Sequence, residues 1–188
     1  FHDFNPPMKK LALIGIVLAG MAAFAGCRGG VDVVISRHGN PEEIRKVAIF
    51  NLKLQNRGSY STGDRVSDLL MHEFLKLGYD VVERTEIERL VKEQKLSVSG
   101  FIDPREAVAI GKLSGADTIV TGTGHLVSRD SDVLSYLVIK VISLRSGSVI
   151  MTANLRKNMS ISDAVTEMSR SIKKCLDERA AAQKGAPK

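Results

Sequence analysis

The stretch TIVTGTGHLV-SRDSD-VLSYLVIKVISL-RSG-SVIMTANLR, residues 118–156, decides the fold. Its apolar segments, 118–127, 133–144 and 148–156, are rich in Val, Ile, Leu, Thr and Tyr, which suit a pleated, half-buried surface. Two short breaks separate them. One is the polar run 128–132; the other, Arg145-Ser146-Gly147, has turn chemistry. Connections this short join antiparallel neighbours, so the segments read as consecutive antiparallel strands. Gly122 and Gly124 fall inside the first strand, where glycine marks a bulge or the close approach of another backbone.

Upstream the apolar period changes to that of helices. Residues 103–114 read as a helix, opened by Asp103-Pro104 with proline at the first helical position and stopped by Gly115. Gly111 within it implies close helix packing. Residues 85–95 read as another helix, with Thr85 and Glu88 at capping-box spacing and Ile87, Leu90 and Val91 inward. A third, 64–77, carries Val66, Leu69, Leu70, Phe74 and Leu77 on one face and ends at Gly78. Residues 46–52 and 79–83 read as strands, and 56–63 and 96–101 as loops. Downstream, helix 160–179 carries the stripe Ile161, Val165, Met168, Ile172 and Leu176. From residue 46 the order is β-α-β-α-α-β-β-β-α. The helix-linked strands are expected to be parallel with right-handed crossovers, and the last strands antiparallel. The expected fold class is α/β of the mixed α+β kind, a mixed β-sheet flanked by helices.

Ahead of this domain, Met8-Lys9-Lys10 leads into an unbroken apolar run, 11–25, followed by Gly26 and Cys27. The charged start, short apolar core and small residues read as a secretory signal peptide. The run is shorter than the ~18–20 residues of a spanning helix. Phe24-Ala25-Gly26-Cys27 resembles the bacterial lipobox, with Phe24 where that pattern usually has Leu. The resemblance implies that the Cys27 thiol is acylated and that Cys27 becomes the new N-terminus. The next residue is Arg28 rather than Asp, which in a two-membrane bacterium implies sorting to the outer membrane, facing the periplasm. The expected organisation is a non-native or mis-called leader at 1–7 and a lipoprotein signal peptide at 8–26. The lipidated cysteine and tether follow at 27–45, then a periplasmic domain at 46–180 and a disordered, low-complexity tail at 181–188. Within the tether, Val31 to Ile35 is apolar enough for a short extra strand. Fully extended, Arg28 to Ile44 spans at most ~60 Å.

The chain has 188 residues, and the part from Cys27 onward suits one domain with a sizeable core. The formal charge of +6 falls by one when residues 1–26 are removed. So mild an excess suits lipopolysaccharide, peptidoglycan carboxylates or acidic protein patches, or serves solubility alone. Aromatic residues make up 5% of the chain, with no Trp, so stacking platforms are scarce and nucleic acid is not an expected partner. Of the two cysteines, Cys27 is taken by the lipobox. Cys175 then has no partner for an intrachain disulfide. A lone thiol could be reactive, metal-binding or intermolecular. Its place beside the last helix's apolar stripe reads as a small core residue.

Several segments recur in a familiar order: Val47-Ala48-Ile49-Phe50; Val81-Val82-Glu83-Arg84; Leu90 with Glu93-Gln94; and Ser99-Gly100 with Asp103. Then come Ala109-Ile110-Gly111-Lys112-Leu113-Ser114-Gly115-Ala116-Asp117, Ile119-Val120-Thr121-Gly122, and the hairpin from Val141 to Ile150. Together they resemble the CsgG family of outer-membrane lipoproteins, named for the curli-export component. The resemblance implies an α/β domain similar to the N-terminal domain of TolB, and no cofactor. The pore-forming member carries extra amphipathic hairpins, and a barrel strand needs ~9–11 alternating residues. Residues 53–63 are too short for such a hairpin, so a member without the channel is expected. Glu83-Arg84 reads as a local ion pair or a partner contact.

Enzymatic constellations are poorly supported. None of His2, His38, His72 and His125 has a His or Cys at metal-ligand spacing. There is no Gly-x-Ser-x-Gly elbow, and Thr121-Gly122-Thr123-Gly124 lacks the Lys-Ser/Thr of a P-loop. Glu86 and Glu88 suit a helix N-terminus better than a paired-carboxylate centre. No catalytic, cofactor or metal residue is expected, and Cys27 is the single site residue.

These readings lead to a non-enzymatic adaptor or assembly component for export or assembly of a cell-surface structure. It would be lipid-anchored, with envelope proteins as partners and a homo-oligomer permitted. The alternatives are a lipoprotein activator of a peptidoglycan synthase (a penicillin-binding protein) and a flagellar accessory lipoprotein. The similar activators reach across the periplasm on long tethers, which the short tether here argues against.

Overall fold

The computed structural model describes residues 30–37, 39–56, 59–94, 104–128 and 131–184. The strands are β1 (Val31–Ile35), β2 (Lys46–Ile49), β3 (Lys53–Asn56), β4 (Ser59–Thr62), β5 (Asp80–Val81), β6 (Thr118–Leu126), β7 (Val133–Ser143), β8 (Val149–Leu155) and β9 (Met159–Ser160). The helices are α1 (Asp64–Lys76), α2 (Arg84–Glu93), α3 (Pro104–Leu113) and α4 (Ile161–Lys184). A single 3-10 turn, Pro41–Glu43, precedes β2.

One mixed sheet runs in the order β1-β8-β7-β6-β2-β5. The strands joined through helices are parallel: β2 pairs with β5 and with β6. The strands joined by turns are antiparallel, β6 with β7 and β7 with β8. This is the division the connection lengths imply. Gly78 and Gly115, which end α1 and α3, have φ of +88° and +67°, the left-handed conformation that glycine adopts without cost.

Alternation along the strands sends side chains to two cores. Val47 and Ile49 face a cluster with Val66, Leu70 and Phe74 of α1 and Val165, Met168 and Ile172 of α4. Ala48 and Phe50, one residue out of phase, face Ile87, Leu90 and Val91 of α2 and Ala107 and Ile110 of α3. Helices α1 and α4 therefore cover one sheet face, and α2 and α3 cover part of the other. Gly111 is the close packing point of α3: a Cβ there would lie 2.6 Å from Ile119 Cγ2 and 2.8 Å from Leu144 Cδ1. Gly122 admits the partner strand, since a Cβ would lie 2.3 Å from the Val138 carbonyl oxygen.

The structure departs from the sequence reading at several elements. The short extra strand read at Val31 to Ile35 forms as β1, but it is integral to the sheet rather than part of a free tether, pairing with β8 from Val31↔Leu155 to Ile35↔Met151. Its register turns Val31, Val33 and Ile35 toward α4, and Val31 is fully buried. The loop read at 56–63 holds β4, which forms a hairpin with β3, and β3 pairs in parallel with the far half of β6. Ser59 to Thr62 lacks an apolar alternation, so the pattern concealed a strand that backbone pairing supports. These strands have four residues each, short of a barrel strand. The strand read at 79–83 shrinks to β5, because α2 already begins at Arg84. Thr85 lies inside that helix, so the Thr85–Glu88 capping box does not form. Glu83 holds the cap position without a side-chain bond, and carboxylates on α1 draw Arg84 into the helix start. Helix α4 continues to Lys184, so residues 181–184 of the expected disordered tail are helical. Ala180, Ala181 and Ala182 are the strongest helix formers. The leader, the signal peptide, Cys27, His38, the 96–101 loop and 185–188 lie outside the described residues.

Candidate functional site

The sole sequence-predicted site residue, Cys27, lies outside the described residues, but the point where its segment meets the domain is well defined. The Arg156 amide donates to the Gly30 carbonyl at 2.8 Å, and Val31 follows in β1. Only Arg28, Gly29 and Gly30 separate Cys27 from the sheet. At ~3.5 Å per extended residue, Cys27 is within ~14 Å of Val31. Strand β1 is a terminal strand of the sheet, and among the described residues its outer edge has no strand partner. Such an edge can template pairing with another chain.

The sheet face shared with α2 and α3 is covered only near β2, β5 and the start of β6. Beyond Ile119 and Ile142, no described helix packs on it. Val34, Thr152, Lys140 and Thr121 align across four strands in one row, and Asp32, Asn154, Val138 and Thr123 in the next. Val34 is 56% exposed and Tyr136 is 37% exposed. The Tyr136 ring stacks on His125 at 6.1 Å between centroids. This open face combines an aromatic ring and branched apolar side chains with hydroxyl, amide and sparse charged groups. That mixture is the chemistry of protein contacts, where aromatics are enriched and dense charge is depleted.

Nucleophilic chemistry does not fit the closest Ser–His pair. His125 Nδ1 is 2.9 Å from Ser135 Oγ, but the Ser135 hydroxyl donates to the His125 carbonyl at 3.1 Å. A hydroxyl that donates to this carbonyl accepts from a ring protonated at Nδ1, and in that arrangement the imidazole does not activate it. Among the described residues, no group of three or more His, Cys, Asp and Glu could hold a metal ion. Cys175 is half-buried on α4 rather than in the core, and His72 is exposed on α1. Arg84 resolves toward the structural reading: it contacts Asp64 and Asp68 on α1 at 3.1 Å and Glu88 within α2 at 3.0 Å. Burial pulls its pKa down, but the hydrogen bonds it donates to Glu88, Asp68 and Asp64 outweigh that and the net direction is up. Buried Glu73 joins α1 to α4. Desolvation pushes its pKa up, yet hydrogen bonds from Lys76 and Ser169 and the Lys76 charge hold it below the ordinary carboxylate value. No described helix is long and apolar enough to cross a membrane.

Residues 33–133 match the family described as "Curli production assembly/transport component CsgG". The chain belongs to the CsgG family. The matched segment holds β2 through β6 with α1, α2 and α3, and its β3–β4 hairpin is too short for the pore-forming type. Two solved structures share the fold. The LpoB C-terminal domain from Salmonella enterica aligns at 12% identity and TM-score 0.51, covering 62% of this chain and 83% of that one. The same domain from Escherichia coli aligns at 13% identity and TM-score 0.50, with the same coverage. TolB from Acinetobacter baumannii aligns at 13% identity and TM-score 0.43, over 78% of this chain and 31% of that one. No curated protein matches the sequence.

Sequence reasoning missed the open sheet face. Its strands were legible, but which half of a face the helices cover depends on where α2 and α3 dock. The one available signal was the polar alternation of Thr121, Thr123, Tyr136 and Lys140 against apolar neighbours.

Proposed function

We propose that this CsgG-family chain is an outer-membrane lipoprotein, acylated at Cys27 and facing the periplasm. It acts as a non-enzymatic adaptor in the export or assembly of a cell-surface structure. The observation that carries the reading is the start of β1 at Val31, so soon after the lipobox cysteine. A domain that begins there is held within ~14 Å of its acylated residue. Two acyl chains make such an anchor stable. The partner surface would be the open sheet face around Tyr136, continuous with the free edge of β1. Activation of a distant synthase would need a long tether, and the integration of β1 into the sheet shortens the one expected here.

The test is membrane fractionation of cells expressing the natural chain and Cys27→Ser, with mass spectrometry of the N-terminal peptide. The natural chain should fractionate with outer membrane and carry acyl chains on Cys27, and Cys27→Ser should be lost from that fraction. An unmodified Cys27, or equal membrane association of the two proteins, would overturn the anchoring.

A further inference from the structure

The end of the sheet opposite the β1 entry point carries a cavity of about 390 Å³. Val31 sits beside Leu155 at one end of β8, and the cavity lies beyond Val149 at the other. At ~3.3 Å per residue the two ends are ~20 Å apart. Leu144 and Ala116 form the apolar floor, and Arg45, Lys112 and Arg145 stand around it.

Elsewhere Arg65, Arg84, Arg89, Arg156 and Arg170 all hold carboxylates. At the cavity, two carboxylates keep their charge, and each has one oxygen held by a neutral donor. Glu43 Oε2 accepts the Ser143 hydroxyl at 2.7 Å, and Asp117 Oδ2 accepts the Lys46 amide at 3.1 Å. Arg45 spends its Nε on the Glu42 carbonyl, leaving both terminal nitrogens available. Among the described residues, none of Arg45, Lys112 and Arg145 forms an ion pair. They come from three different elements: the approach to β2, the last turn of α3, and the β7–β8 turn at Gly147, whose φ is +71°. The fold thus converges three cations, none of them ion-paired, with two carboxylates on one concavity, a net excess of one positive charge.

We infer that this cavity is a carboxylate-binding site, and that its occupant is an acidic segment of a protein partner. The inference deepens the adaptor reading and rests on it. The volume lies at the small end of the ~300–1,000 Å³ of ligand sites, enough for a short run of side chains. Two guanidinium groups offer planar, paired donors that match a carboxylate fork. The headgroups of the chain's own membrane are the less suitable source, because the cavity opens at the end away from the anchor.

The probe is N-acetyl hexaglutamate amide, titrated against the detergent-solubilised full chain by thermophoresis at low salt, with hexalysine as control. Hexaglutamate should bind and hexalysine should not. Arg45→Gln and Arg145→Gln should each weaken binding by roughly threefold to tenfold, and the triple variant with Lys112→Gln by more than tenfold. Arg156→Gln, at the opposite end, should leave it unchanged. These substitutions are on the surface, and circular dichroism of each variant confirms folding. Binding retained by the triple variant overturns the site. Preferential binding of a muropeptide, or of phosphatidylglycerol vesicles, through the same residues overturns the acidic-segment assignment. If hexaglutamate fails to bind while a protein partner is still captured on the Tyr136 face, the cavity proposal falls and the adaptor reading stands.

Discussion

Ser67→Ala tests how the first strand is joined to the first helix. Strand β2 ends at Ile49, the chain bulges through Phe50 to Leu52, and β3 resumes pairing on β6. Ser67, on the first turns of α1, sits under that bulge and is 3% exposed. Its Oγ accepts the Leu52 amide at 3.2 Å and lies 3.3 Å from the Phe50 carbonyl and 3.1 Å from the Gly63 carbonyl. The Gly63 oxygen also receives the Ser67 amide at 2.9 Å, so it keeps a donor when the hydroxyl is removed. The Leu52 amide does not, and Leu52 is fully buried. An orphaned buried donor costs about 1–3 kcal/mol, and the change leaves almost no cavity, so the expected loss is about 2 kcal/mol. For a chain of this size that is about 4–8 °C in melting temperature. The assay is thermal unfolding of the natural chain and the variant, with hydrogen exchange at Leu52 and across β3–β4. Exchange should accelerate there before it does in β7 or β8. A melting shift under about 1 °C with unchanged exchange at Leu52 would refute the assignment of this hydroxyl as the bulge's clamp.

Other perturbations have equally definite expectations. Gly122→Ala drives a Cβ into the Val138 backbone carbonyl, which cannot rotate away, and should cost about 2–3 kcal/mol in urea unfolding. Gly111→Ala presses a Cβ against the Cγ2 branch methyl of buried Ile119 and the end of Leu144, but regains about 1 kcal/mol of helix propensity, so its net cost should be smaller, about 1–2 kcal/mol. The opposite ranking would contradict the two packing roles. Arg84→Met removes the ties between α1 and α2 and should destabilise by about 1 kcal/mol, a difference that shrinks in 1 M salt if it is electrostatic. Glu73 titrates below its ordinary value in the fold, so its contribution is complete at neutral pH. That contribution is lost as pH falls through the folded-state value. Glu73→Gln should therefore lower the melting temperature at pH 7, and the gap should narrow as pH falls past the ordinary carboxylate value and close below the lower folded-state value. A constant gap across that range would exclude the charge as its source.

The mixed sheet was legible because its decisive signals are local. The breaks at 128–132 and Arg145-Ser146-Gly147 are too short for anything but antiparallel return, and Gly78 and Gly115 mark helix ends by the backbone conformation they adopt. The stripe from Ile161 to Leu176 announced the buried face of α4. What escaped the reading depends on distant partners. The apolar run Val31 to Ile35 marked a possible strand, but its place in the sheet depends on β8, more than a hundred residues downstream. The β3–β4 hairpin draws its order from the far half of β6, not from its own pattern. The capping-box spacing at Thr85 was a local signal overruled by Arg84 and its carboxylates on α1. The open sheet face and the cavity at Arg45, Lys112 and Arg145 arise where elements end. No periodicity in the sequence encodes such a place.

The measurement that tests the central claim most directly is photocrosslinking in living cells with a photoreactive residue in place of Tyr136. The complex is then extracted from native outer membrane in mild detergent, weighed, and its crosslinked partners are identified. The account predicts an acylated chain joined through this face to another envelope protein of a secretion or surface-assembly system. A chain recovered as an uncrosslinked monomer, or crosslinked only to a cell-wall synthase, would contradict it.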